Sequence, residues 1–340
     1  MALAAALICG ADATAQDPDL RFGSQVPPEV EVIYESGLAW LARSQSNEGT
    51  WQDSNQGSGV DGLCVMAFLA SGDDPNFGRY AVNIRRALRA MISSQDAQTG
   101  YLPNSMYHHG FAMLALAEAY GAVDEALLWQ PAESGGSEGK QRSLAESLDL
   151  AIRCASTSQK KNRWGGWRYT PDATDADTSV TGAVLMGLLA SRNAGMEVPD
   201  ETINAALEYM RRSTGKDGSV AYSGGFGGMG ESMNRSAIAT LVAAVAKEKE
   251  TWEYKATLDH IVTRLEHNEQ GHYIEYFRYY MAQALFQGDY DSWQKWNAAT
   301  VRKLDQTRQE NGSYAGSPYS TAMSLLSLAL NYRFLPIYER

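Results

Sequence analysis

Residues 159–195, QKKNRWGGWRYTPDATDADTSVTGAVLMGLLASRNAG, hold a helix end, a Gly/Trp turn at Trp164-Gly165-Gly166-Trp167, a polar approach, and a long apolar helix of small residues. The same four-part phrase recurs along the chain, with turn glycines at 49, 100, 165, 218, 271 and 312. Six copies of a helix–turn–helix unit predict an all-α protein of twelve helices. At such a period no unit can bury its own apolar face, so each must share a core with its neighbours.

The two helices of a unit differ in kind. The first is amphipathic and charged; over Phe77–Gln95, for instance, Arg79, Arg85, Arg86 and Arg89 are expected on the wet side. The second is apolar nearly all round, as in GLCVMAFLA, GFAMLALAEA and GAVLMGLLA, and is expected to be buried on most sides. Six buried and six half-exposed helices fit a closed double ring, an (α/α)6 toroid, better than an open solenoid, which would need polar terminal caps. The turn has its own physical logic. Glycine lets the chain leave a helix with positive φ, the aromatic two residues later covers the helix end, and a Gln or Asn can bond its orphan carbonyls.

With 340 residues, 44% of them hydrophobic and 20% charged, the chain has the composition of a core-forming protein. Its net charge of −11 makes nucleic acid and anionic lipid poor partners. Cys9, Cys64 and Cys154 form no CxxC, and the last two sit among apolar helix residues, where a thiol acts as a small hydrophobe. Residues 1–15, MALAAALICGADATA, read either as an incomplete signal peptide ending in a small-x-small site, which points to export to a periplasmic or extracellular space, or as an Ala-rich leader on a cytoplasmic protein. Residues 16–28 are a lead-in, and 29–340 form one toroid domain with a surface insertion at 121–142, rich in Gly, Ser and Pro. No stretch is apolar for long enough to be a transmembrane segment.

If the apolar helices form the inner ring, their N-terminal ends surround one mouth. Aligning the units on Gly62, Gly110, Gly182, Ala237 and Ala322 puts Asp61, His109, Thr181, Ser236 and Thr321 at one level. Neighbouring segments add His108, Asp175, Asp177, Glu231, Asn234, Arg235 and Tyr319, and the fifth unit contributes Tyr276 or Arg278. Helix N-termini favour anions, so convergence there makes a candidate ligand site. The plainer reading of Asp177, Thr178 and Ser232 is N-capping. Adjacent His108 and His109 lie about 100° apart on a helix and cannot share one metal ion.

These residues resemble the terpenoid cyclase and protein prenyltransferase superfamily, squalene-cyclase-like repeat proteins with an (α/α)6 toroid. Gln45 to Trp51 matches that group's QxxxGxW repeat in full, and Trp164–Trp167, Lys216–Ser219 and Asn311–Tyr314 match it in part. The resemblance runs from about residue 30 to residue 335 and implies a central cavity for an isoprenoid or other apolar ligand. It further implies acid-initiated cyclase or isomerase chemistry, with Asp177 or Asp175 as the acid. The stretch Asp175-Ala176-Asp177-Thr178, however, departs from the group's DxDD motif, and neither helical cysteine follows an Asp by two residues as the prenyltransferase zinc site requires. No cofactor or metal is implied.

Two rivals stand beside that expectation. One is a non-catalytic exported toroid that binds a protein or a glycan at its mouth. The other is a carbohydrate-active toroid using His108 or His109 with a tyrosine. A polar, open groove would favour sugar, a deep aromatic cavity would favour isoprenoid, and a filled centre would favour the non-catalytic reading.

Overall fold

The computed structural model describes residues 26–54, 56–129, 141–223, 232–266 and 273–338. Odd-numbered helices are the charged ones: α1 (Pro28–Ser44), α3 (Ala81–Ser94), α5 (Leu144–Gln159), α7 (Asp200–Ser213), α9 (Trp252–Val262) and α11 (Tyr290–Thr307). Even-numbered helices are the apolar ones: α2 (Ser58–Leu69), α4 (Met106–Ala119), α6 (Thr178–Asn193), α8 (Met233–Val245), α10 (Ile274–Gly288) and α12 (Pro318–Leu328). Among the described residues there is no β-strand beyond two isolated bridges.

The even helices pack in order, α2 on α4 and so on to α12, and α12 returns to α2. Each is backed by the odd helix that follows it in the chain, so α12 is backed by α1, and α11 also meets α1. The result is an (α/α)6 toroid with an inner and an outer ring. Every residue of α2 is buried, whereas α3 buries one face only. Small residues set the inner spacing: a Cβ on Gly110 would lie 2.6 Å from the Ala183 backbone, so α4 and α6 touch main chain to main chain.

The turns fasten each unit to the next. Gly100, at φ +75°, would carry a Cβ 2.1 Å from the carbonyl oxygen of Leu150 in α5, and Gly312, at φ +94°, one 2.3 Å from that of Ser36 in α1. The last turn thus sits on the first outer helix, where it closes the ring. Gln95 Nε2 donates to the carbonyls of Gly100 (3.0 Å) and Ser147 (2.9 Å), and Gln45 and Gln159 bridge turn to next helix in the same way. The aromatic two residues beyond the glycine ties the turn back to its own outer helix. Trp51 Nε1 donates to Leu41 O (2.8 Å), Trp167 Nε1 to Ala155 O (2.9 Å), and the Tyr314 hydroxyl to Leu304 O (3.0 Å). The Leu41 and Leu304 carbonyls also accept the N–H groups of Gln45 and Arg308, so the aromatic adds a second bond to the last turn of the helix.

Two sequence expectations need correction here. Arg85 and Arg89 are not on the wet side: they are 6% and 9% exposed. Arg85 Nη1 donates to Asn76 O (2.7 Å) and Arg89 Nη1 to Leu128 O (2.8 Å), because the chain on either side of α3 and α4 folds over them. The insertion, for its part, is not wholly surface. Its single helical turn, Glu125–Leu128, buries Leu128 and supplies that carbonyl; residues 130–140 lie outside the described residues. Cys64 and Cys154 are buried free thiols within the helices, the setting of a small hydrophobe. Cys9 and the rest of residues 1–25 lie outside the described residues. None of the helices among the described residues is long and apolar enough to cross a membrane.

Opposite the N-terminal ends of the inner helices, the chain after α12 turns back across the ring. Phe334 lies against Gly72, Leu335 and Ile337 are buried, and the Ile337 N–H reaches Glu118 Oε2 (3.4 Å).

Candidate functional site

A cavity of about 730 Å³ opens at the N-terminal ends of the inner helices. All six contribute: Val60 and Leu63 from α2, Tyr107, His108 and Phe111 from α4, Ser179 from α6, Asn234 and Arg235 from α8, Glu275 and Tyr276 from α10, and Tyr319 and Ser320 from α12. The approach segments add Asp53, Ser105, Tyr169, Tyr222 and Ser317. Among the described residues the lining therefore holds six tyrosines and six serines but only three aliphatic or phenylalanine side chains.

The floor is aromatic. Tyr107 meets Phe111 at 5.4 Å and Tyr276 at 5.7 Å between ring centroids, and Tyr276 meets Tyr280 at 4.7 Å. Tyr276 is 5% exposed; its hydroxyl lies beside those of Tyr107 and Tyr280 but completes a hydrogen bond with neither. Burial raises the pKa of all three phenols, so they are neutral donors at physiological pH.

One wall is built from the approaches to α6 and α8. Tyr169 and Tyr222 share a hydroxyl–hydroxyl hydrogen bond (3.0 Å), and their carbonyls accept from the N–H groups of Met106 (2.9 Å) and Thr178 (3.0 Å). Arg168 stacks on both rings, with Cζ 5.6 Å from each centroid, and Arg235 lies 6.0 Å from the Tyr222 centroid while its Nε donates to Val220 O (2.7 Å). The opposite wall is acidic. Asp53 Oδ2 accepts from the Ser317 hydroxyl (2.6 Å) and the Tyr319 N–H (3.2 Å), and burial, then the charges of Glu275 and Asp53, raise the pKa of the Tyr319 phenol.

The residues aligned from sequence divide into two sets. Those at one level with Asp61 do share a level, but they face the turns and not the mouth. Asp61 Oδ1 accepts from the Trp51 N–H (3.0 Å), His109 Nδ1 from that of Leu102 (3.1 Å), Thr181 Oγ1 from that of Trp167 (3.0 Å) and Thr321 Oγ1 from that of Tyr314 (3.0 Å). Ser236 instead donates to Gly218 O (2.9 Å). Among the described residues, five of the six units thus use one polar side chain there to hold the turn, and this places Asp61 and His109 outside the cavity lining. His109, its other ring nitrogen 3.0 Å from Ala151 O, is fully buried and its pKa falls to about 4 through desolvation. His108, one residue earlier and so a quarter-turn round the helix, does line the cavity, where its Nδ1 accepts from the Gly59 N–H (3.2 Å). Burial lowers its pKa too.

Asp177 and Asp175 lie behind the tyrosine wall. Asp177 is the N-cap of α6, fully buried, with Oδ1 accepting from the Val180 N–H (2.8 Å) and Oδ2 3.8 Å from Arg168 Nε. Desolvation lifts its pKa to about 6 against those stabilising contacts. Asp175 is exposed and pairs with Arg168 Nη1 (2.7 Å). Thr178 is the first helical residue and donates to Ala221 O, and Ser232 holds the N-cap position of α8 without a side-chain bond. Asn234, Arg235, Tyr276 and Tyr319 line the cavity, and Glu231 lies outside the described residues. Sequence reasoning missed Asp53, Tyr169 and Tyr222. Each stands two residues after the turn aromatic or its equivalent (Trp51, Trp167, Val220), where the chain crosses from the outer helix to the mouth.

Fold and mouth together define a single (α/α)6 toroid with an open, tyrosine-lined end. No protein family model matches the chain, and no curated protein sequence does. Among solved structures it is similar to the GH76A α-1,6-mannanase from Salegentibacter sp. HEL1_6, with 10% identity, a TM-score of 0.59, and coverage of 89% of this chain and 98% of that one. It is similar also to the GH76 α-mannanase BT2949 of Bacteroides thetaiotaomicron (11% identity, TM-score 0.58, 93% and 99% covered) and to a protein from Actinoplanes (13%, 0.56, 89% and 99%). At these identities the likeness establishes the shared fold. A type II terpene cyclase from Scytonema aligns at 15% identity over 88% of this chain and 98% of that one, but with a TM-score of 0.33, too low to support an argument.

Proposed function

We propose that the mouth of this toroid is a carbohydrate-binding site. The carrying observation is the lining: six tyrosines and six serines among the described residues, with an unbonded, 5% exposed phenol at the floor. A sugar offers flat C–H faces to aromatic rings and a dense set of hydroxyls to such a wall. An isoprenoid returns no hydrogen bond. Each hydroxyl it covered without a partner would cost about 1–3 kcal/mol, offsetting roughly one to four buried methylenes. Two solved toroids of this fold are named as α-mannanases, which is compatible with this reading.

The test is a glycan array probed with the purified chain, followed by titration of the strongest ligand against Tyr107→Ala and Tyr319→Ala. Both variants should bind at least about tenfold more weakly, equivalent to ~1.4 kcal/mol. An array without any ligand would refute the reading. One observation favours a second reading, an isoprenoid-like ligand with Asp177 (or Asp175) as proton source: the Asp177 carboxyl, raised to about 6 chiefly by desolvation, lies 3.8 Å from Arg168, which stacks on the wall tyrosines. Lipid co-purifying from a cell extract with wild type but not with Asp177→Asn would select it.

A further inference from the structure

The two walls of the cavity use their tyrosines differently. On one, the faces of Tyr169 and Tyr222 are already met by the protein's own guanidinium groups, Arg168 on both and Arg235 on the second. On the other, no cation of the described residues lies over the rings of Tyr319, Tyr107 or Tyr276, which neighbour one another at mouth and floor. Two carboxylates stand beside them instead, and their charges reach Tyr319. Asp53 is tied to the start of α12 by the Ser317 hydroxyl and the Tyr319 N–H, so its position is fixed. Glu275, in the first turn of α10, is half-buried and makes no hydrogen bond or ion pair among the described residues. The floor adds the Tyr276 hydroxyl, buried and without a hydrogen-bond partner.

Ring faces attract a cation, an ammonium group brings three donors for such acceptors, and its charge answers carboxylates that a half-closed mouth partly desolvates. A neutral hydroxyl can donate to them but supplies no counter-charge. Nor does the cavity supply one on that side. Arg235, the one lysine or arginine in the lining among the described residues, belongs to the opposite wall and gives its Nε–H to Val220 O (2.7 Å). The net charge of −11 draws cations toward the molecule as a whole. We infer that the carbohydrate taken by this mouth is an amino sugar, its ammonium seated on Glu275 against the Tyr319 ring, within the field of Asp53. The inference rests on the carbohydrate reading above and narrows it to one chemical class.

The experiment titrates the full chain with matched sets of α- and β-linked oligosaccharides that differ only in bearing a free amine, an N-acetylated amine or a hydroxyl. It is run at about pH 6, below the usual range of an amino group, so the free amine is charged. In at least one set the amine should bind about tenfold or more tightly than both counterparts, as a charge-assisted bond with a ring contact implies. Raising the salt from ~0.05 M to ~0.5 M should close much of that gap. Glu275→Gln, at a side chain with no partner to lose, should keep the melting temperature and bring the amine to within about threefold of the hydroxyl form. Sets that bind without preferring the amine, or a preference that survives Glu275→Gln, would overturn the amino-sugar inference and leave the carbohydrate site standing. Spermidine, a cation without a sugar, binding as tightly as the amino sugar would overturn it too. Absence of binding by every oligosaccharide would remove both.

Discussion

Replacing Asp61 by Asn should stabilise the protein, and only above about pH 4. Asp61 is 4% exposed and anchors the first turn through the Trp51 N–H, a contact that an Asn amide oxygen can also accept. Its sister positions use the neutral groups of Thr181, Thr321, Ser236 and His109, so the fold does not need a charge there. Burial raises the Asp61 pKa from 3.8 to about 7. The folded state therefore binds a proton that the unfolded chain has released across that window, and stability falls as pH rises from about 4 to 7. Three powers of ten in proton affinity correspond to ~4 kcal/mol, an upper bound because the surroundings relax. Urea unfolding of wild type and Asp61→Asn at pH 4.5 and pH 8 should give a gain of at most ~1 kcal/mol for the variant at the lower pH and of ~2–4 kcal/mol at the higher. A variant less stable at pH 8, or an unchanged pH slope, would refute the argument that this carboxylate is held at a cost.

Gly312→Ala should lower stability by ~2 kcal/mol or more, read as a drop in melting temperature, because a left-handed backbone and a 2.3 Å approach to Ser36 O both oppose a side chain there. Ala at an exposed glycine such as Gly195, with nothing near its Cβ, should cost only the backbone strain of about 1 kcal/mol. If residues 1–15 direct export, mass spectrometry of protein from a secreting host should find a chain beginning at Gln16; an intact Met1 would count against it.

The fold was readable from sequence because six phrases repeat it. An apolar helix such as Thr178–Asn193 can only be an inner one, and Gly165 with Trp167 can only be a turn against an outer one. The level of the mouth was readable too, but not the rotation of each helix about its axis. His108 and His109 are indistinguishable until one knows that the inner helix must hand one polar group to its turn, and that Leu102 N–H claims His109. The same claim removes Asp61 from the lining. Arg85 and Arg89 misled because their carbonyl partners, Asn76 in a loop and Leu128 in a single helical turn, lie in segments that the periodicity of the long helices does not place. The missed wall residues Asp53, Tyr169 and Tyr222 sit in irregular approaches, where only their fixed offset from the turn gave them away.

A repeat array with free ends can lengthen or shorten by whole modules as its genes duplicate and recombine. Here Gly312 is seated on Ser36 and Asp53 on Ser317, so a seventh or a missing fifth module would leave the first and last without each other. Descendants of such a chain are held to a module number of six, and their divergence is channelled into the short crossings that follow each turn.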